Sequence, residues 1–242
     1  MENIYKVNKV TDKIPLIISS VRPFFKNSAY TKMQKDALVS WNKISDKTYL
    51  FNDVTDLEGF NDVPVFTEIP SKNPPTIKEM IKFAASNFSD DTVMALVNSD
   101  IVLTGNIRSV YHCVQNNKLG KAWAATSQRY EFAEADMSDA QVVDMGLDFF
   151  IAPINVWKHM IADIPEYLTI GRNMWDTWVN TWLRQRVSST KYFDITDWKA
   201  VMHPKHSRKP NRLEPVEGTK VPDLIAPDKQ AYTLPHAKYA KP

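Results

Sequence analysis

The chain has 242 residues, 43% of them apolar and 24% charged, with a formal net charge of +2 at pH 7. That is enough chain for one α/β domain with a substantial core, and too little charge to argue for nucleic acid by itself. Only 6 residues are glycine, none closer together than Gly105 and Gly120, which excludes both the G-x-G-x-x-G dinucleotide loop and the G-x-x-x-x-G-K-[ST] phosphate loop.

The N-terminal stretch MENIYKVNKVTDK lacks the apolar core of a signal peptide, and no 18-residue apolar run follows anywhere, so the expectation is a cytoplasmic protein without a membrane span. Ile14 to Ser20 reads as a buried parallel strand that delivers Ser19, Ser20 and Arg22 to a loop. A helix over Ser28 to Lys43 carries Met33, Ala37, Leu38 and Trp41 on its apolar side. Thr48 to Val54 predicts a second strand ending at Asn52 and Asp53, and Val63 to Ile69 a short third one. Thr76 to Asn87 is helical, with Ile77, Met80, Ile81 and Ala84 on one face. Thr92 to Thr104 carries two apolar runs broken by Asn98, Ser99 and Asp100, and Gly105 closes it. A helix over Asn106 to Asn117 follows, in which Cys113 reads as a buried structural thiol of a reducing compartment. Lys121 to Thr126 predicts a strand, Tyr130 to Asp144 an acidic and polar insertion, Gly146 to Pro153 a strand, and Ile154 to Met160 a helix. Trp175, Trp178, Val179 and Trp182 recur at three and four residues, the signature of a helix packed on a core. From Pro204 onward prolines recur with little periodicity. The expected organisation is therefore a domain over residues 1–206, with a mostly parallel central sheet flanked by helices, and an extended Pro-rich basic tail over 207–242.

Four clusters carry candidate chemistry. Asp100, with Asn98 and Ser99, interrupts a core-like strand, where an unpaired charge is very costly; it either caps a strand-to-loop corner or offers oxygens to a divalent cation. Asp148, in DMGLDFF, reads equally as a turn acid or a site acid, with Gly146 permitting a close approach. Gly171, Arg172 and Asp176 collect at a helix start, where the helix dipole alone favours an acid. His203 and His206, in VMHPKH, are weak evidence for a chelate by themselves, and one histidine completing a site with Asp100 is the better reading. The basic run Lys205, Arg208, Lys209 and Arg212 is a solvated tail or a phosphate contact.

In order and spacing these clusters resemble the nucleotide-sugar-dependent glycosyltransferases of the GT-A type, among the glycosyltransferase-like proteins of bacteria, viruses and plants. The matching elements are Asn98-Ser99-Asp100-Ile101, Gly146-Leu147-Asp148-Phe149-Phe150, Ile170-Gly171-Arg172-Asn173-Met174-Trp175-Asp176 and Ala200-Val201-Met202-His203-Pro204-Lys205-His206. The resemblance covers roughly residues 14 to 206, and the G-R-x-x-W-D element is the most specific. The resemblance implies a GT-A fold and a donor diphosphate bound through Mn²⁺ or Mg²⁺. Asp100 then corresponds to the last acid of a D-x-D-like motif whose first acid is Asn98 here, and His203 or His206 supplies the distal ligand. It implies that Ser19, Ser20, Arg22, Asn52, Asp53, Asn98 and Arg172 hold the nucleoside-diphosphate sugar. Asp148 would contact donor sugar or acceptor hydroxyls, and Asp176 would act as general base. The acceptor is a hydroxyl compound; the cations of Lys205 to Arg212 favour a hydroxymethylated base in viral DNA, which would place the protein in host cytoplasm. A non-catalytic nucleotide- or glycan-binding protein on the same scaffold, or transfer to a soluble glycan or protein, are the alternatives.

Overall fold

The computed structural model describes residues 14, 16–21, 29–63, 66–71, 74–116, 122–133, 135–171, 174–189, 191–205 and 232–233. Its strands are β1 (Leu16–Ser19), β2 (Thr48–Asn52), β3 (Thr67–Pro70), β4 (Val93–Val97), β5 (Val102–Leu103), β6 (Ala124–Phe132), β7 (Gln141–Pro153), β8 (Tyr192–Asp194), β9 (Val201–Pro204) and β10 (Tyr232–Thr233). The helices are α1 (Ala29–Ile44), α2 (Ile77–Asn87), α3 (Asn106–Asn116), α4 (Ile154–Met160) and α5 (Trp175–Arg186).

β1 and β4 are apolar because both faces of the sheet are covered: every residue of each is buried. Alternation then divides the core. Ile17, Ala95, Val97, Phe149 and Ile151 point to the layer formed by α1 and α3, where Trp41, Leu38, Ile107 and Val110 pack. Leu16, Ile18, Met94, Leu96 and Phe150 point to the opposite layer, with Met80 of α2, Trp157 of α4 and Trp175, Trp178 and Trp182 of α5. The tryptophans at three- and four-residue spacing are thus core residues, and Cys113 is buried in the other layer, on the α1–α3 side of the sheet.

The sheet runs β10-β8-β6-β7-β4-β1-β2-β3, with β9 beside β6 and β5 beside β9. All pairings along that path are parallel except those of β7, which is antiparallel to both β4 and β6. The expected mostly parallel α/β sheet is what the chain forms. Chain order reverses between β1 and β4, so the crevice beyond their carboxyl ends is where ligands bind in sheets of this kind.

Three expectations change in detail. The segment Thr92 to Thr104 is not one strand: β4 stops at Val97, and Ile101 N–H donates to Asn98 O at 3.2 Å across a turn. Asp100 therefore stands on a turn at the strand's end rather than inside a strand. The stretch from Tyr130 to Asp144 is not an insertion but the outer half of a β6–β7 hairpin, with Glu131 opposite Gln141. The second strand ends at Asn52, where Asp53 caps a short 3₁₀ helix, Val54–Phe60, by accepting from Thr55 N–H. Most of the segment 207–242 lies outside the described residues, but Tyr232–Thr233 adds to the sheet as a parallel neighbour of β8.

α2 begins as its sequence dictates. Thr76 accepts a hydrogen bond from Glu79 N–H at 3.1 Å, the first half of a T-x-x-E capping box. Replacing Thr76 by alanine should cost about 1 kcal/mol in a urea unfolding measurement.

Candidate functional site

The carboxyl ends of the parallel strands gather a set of charged groups. Beyond β4, Asn98 N–H donates to Asp148 O at 3.1 Å, and its side-chain amide donates to the Asp148 carboxylate. Asp148 owes its position to a bulge: Ser127 pairs with Phe149 and Gln128 with Leu147, so Asp148 is the extra residue of β7. A bulge shifts the phase of alternation and re-aims side chains. Here Leu147 packs with the α2–α4–α5 layer while Phe149 faces α1 and α3. The freed Asp148 side chain meets Arg129 of β6, whose second terminal nitrogen donates to Glu131 at 3.0 Å.

Glu131 lies opposite His203 in the β6–β9 register. His203 is buried at 4% exposure. Its Nδ1 stands 3.6 Å from Glu131 Oε1 and its Nε2 3.4 Å from Asp100 Oδ2. Asp176, in the first turn of α5, completes the group from the other side. Burial pushes its carboxyl above the ordinary carboxylate range, and the neighbouring Asp148 charge adds to this, against the backbone N–H of Thr177 and the charge of Arg129. Among the described residues the site sets four carboxylates, Asp100, Glu131, Asp148 and Asp176, around one guanidinium. The described side chains of the site are therefore net negative.

Of the residues expected at the site, Asn98, Asp100, Asp148, Asp176 and His203 are brought together. Asp148 is engaged on both oxygens and almost fully buried, so it orients its neighbours rather than opening toward the crevice. Ser19 stands next to the group, its hydroxyl donating to Val97 O at 2.6 Å, and Ser20 is buried beside it. Asn52 and Asp53 serve the scaffold: Asn52 is buried and both accepts from Val21 N–H and donates to Val21 O, at 2.9 and 2.7 Å, which fixes the loop after β1. Arg22, Arg172 and His206 lie outside the described residues. Gly171 takes φ +71°, a conformation glycine adopts without strain, and a Cβ there would stand 3.8 Å from Asn98 Oδ1. Sequence reasoning missed Arg129 and Glu131. The signal was present as alternation, since Ser127, Arg129 and Glu131 share one face of β6.

Comparison with known proteins gives likeness of fold. No family model matches the sequence, and no curated protein matches it. Many solved structures are similar. Three of them are a cytidylyltransferase from Leptospira borgpetersenii serovar Hardjo-bovis (TM-score 0.46, 11% identity, 76% of each chain), a mannose-6-phosphate isomerase from Helicobacter pylori (TM-score 0.40, 12% identity, 62% of this chain and 74% of that one), and S. aureus TarS 1-349 (TM-score 0.50, 11% identity, 79% of this chain). The chain spans 60% of that TarS chain. At this identity the likeness to TarS is one of architecture alone. No helix among the described residues is long and apolar enough to cross a membrane.

Proposed function

We propose that this chain transfers a sugar from a nucleoside-diphosphate sugar to a hydroxyl acceptor, with Mn²⁺ or Mg²⁺ bound at Asp100 and His203. The observation that carries the reading is the 3.4 Å separation of His203 Nε2, on β9, and Asp100 Oδ2, on the turn after β4. Two donors each about 2.1 Å from one ion, at angles of about 90–110°, stand roughly 3.0–3.4 Å apart. Among the described residues no group of three or more His, Cys, Asp or Glu side chains is arranged to hold an ion, so diphosphate oxygens and water would fill the remaining positions, as is usual for Mg²⁺. The bound cation would offset the charge that accumulates on the departing diphosphate.

The chain's own groups supply the rest. Asp176 accepts the proton of the acceptor hydroxyl while the hydroxyl oxygen bonds to the anomeric carbon; the bond from that carbon to the diphosphate oxygen breaks, and the leaving nucleoside diphosphate takes the electron pair. The raised pKa of Asp176 suits it to receive that proton. The crevice beyond β1 and β4, floored by Ser19 and Ser20, accommodates the nucleoside. Of the basic run that favoured DNA as acceptor, only Lys205 lies among the described residues, exposed just beyond β9.

A donor-hydrolysis screen over common sugar nucleotides with Mn²⁺ or Mg²⁺, reading free nucleoside diphosphate, tests the proposal. At least one donor should be hydrolysed, and chelation should stop it. No release from any donor would remove the enzymatic reading and leave the non-catalytic one.

A further inference from the structure

Arg129 sits on a two-armed connection that the sugar-transfer reading does not use. Only 8% of the residue is exposed, and a guanidinium withdrawn from water needs partners for its charge; its two terminal nitrogens have them, while its buried Nε has no hydrogen-bond partner. One arm runs from Nη1 to Asp148, whose other oxygen accepts from the Asn98 amide. The second runs from Nη2 to Glu131 at 3.0 Å, then from Glu131 to His203 at 3.6 Å and from His203 to Asp100 at 3.4 Å. Asn98 and Asp100 are two residues apart on one turn, so the two arms close into a ring. Gly146 leaves the path for this side chain, since a Cβ there would lie 3.0 Å from both Cγ and Nε of Arg129.

We propose that Arg129 is the positioning residue of the site: by gripping Asp148 and Glu131 at once, it sets where Asp100 and His203 stand relative to Asn98. A planar fork is needed for this, and lysine, a single point charge on a flexible stem, reproduces the charge without the double grip. Arg129 acts through its neighbours and touches no reacting atom. The kinetic consequence rests on the sugar-transfer reading; the structural consequence does not.

The test compares the full-length protein with its Arg129→Met, Arg129→Lys and Gly146→Ala variants. In donor hydrolysis normalised to folded protein, Arg129→Met should lower kcat by about 10–100-fold, the usual loss for a residue that orients ligands, with KM within about threefold. Arg129→Lys should recover part of that loss. Gly146→Ala, which alters no charge, should reduce kcat by about tenfold by crowding the side chain. A purely structural role would instead lower the folded fraction and leave kcat and KM of the folded molecules unchanged. Equal kcat in the wild type and in whichever of Arg129→Met and Gly146→Ala folds would overturn the proposal. If the wild type hydrolyses no donor, the transfer reading fails by itself, and crystal structures of the wild type and Gly146→Ala decide. An Asp100–His203 separation opened beyond about 4 Å, the limit of an ion pair, supports the positioning role. A ring superposing unchanged on that of the wild type contradicts it.

Discussion

Asp100→Ala should abolish sugar transfer while the protein stays folded. The carboxylate stands on the turn after β4, outside both core clusters, and 3.4 Å from His203 Nε2, so its loss should leave the sheet intact. With it goes one of the two protein donors proposed for the cation. Charge stabilisation by such an ion amounts to several kcal/mol, and at about 1.4 kcal/mol per factor of ten in rate the expected loss in kcat/KM is about 10³-fold or more. Steady-state kinetics beside a thermal melt checks both halves. Wild-type turnover in the variant would remove Asp100 from the site; a collapsed melt would make it a structural residue.

Asp176→Asn should slow transfer by about 10²–10⁴-fold, the range of general acid–base catalysis, while making the fold more stable at neutral pH. The second effect follows from the direction of its pKa shift. Burial, with the nearby Asp148 charge, raises the carboxyl in the folded state, so the neutral form is the one the fold prefers. That preference is fully expressed below the unfolded carboxylate pKa and is lost as pH rises through the higher folded value. Asparagine does not ionise and keeps the neutral state at every pH. The stability difference in favour of Asp176→Asn should therefore grow with pH across that window and then level off. Wild-type kcat/KM should fall on acidification with a midpoint above the ordinary aspartate range, and the variant should lack that limb. Denaturant midpoints and pH–rate profiles of the two proteins measure this. An acid limb identical in both would assign the proton transfer to another group.

Much of the fold was legible because its strands are buried on both faces. LIIS and VMALV are uninterrupted apolar runs, and helix spacing placed the tryptophans of α5 in the core. Asn98, Asp100 and His203 were legible for the opposite reason: polar residues directly adjoining such runs stand out against the apolar pattern. The β6–β7 hairpin was hidden because one face of its outer half forms the charged site, and the alternation of Arg129 and Glu131 with Tyr130 and Phe132 is too short to mark a strand by itself. Asp148 announced itself as an acid beside an apolar run, but its engagement depends on a one-residue bulge across the sheet. Asn52 had the composition of a ligand contact, whereas its amide closes on the backbone of Val21. Local sequence contains no record of either cross-strand partner.

A cation held by Asp100 and His203 would let this acidic crevice accept a diphosphate. Calorimetric titration of the full-length protein with nucleoside-diphosphate sugars, run with Mn²⁺ and with chelator, tests it most directly. Binding of at least one donor should require Mn²⁺ and should be lost in Asp100→Ala. Donor binding of equal affinity with and without the metal, or unchanged in Asp100→Ala, would contradict it.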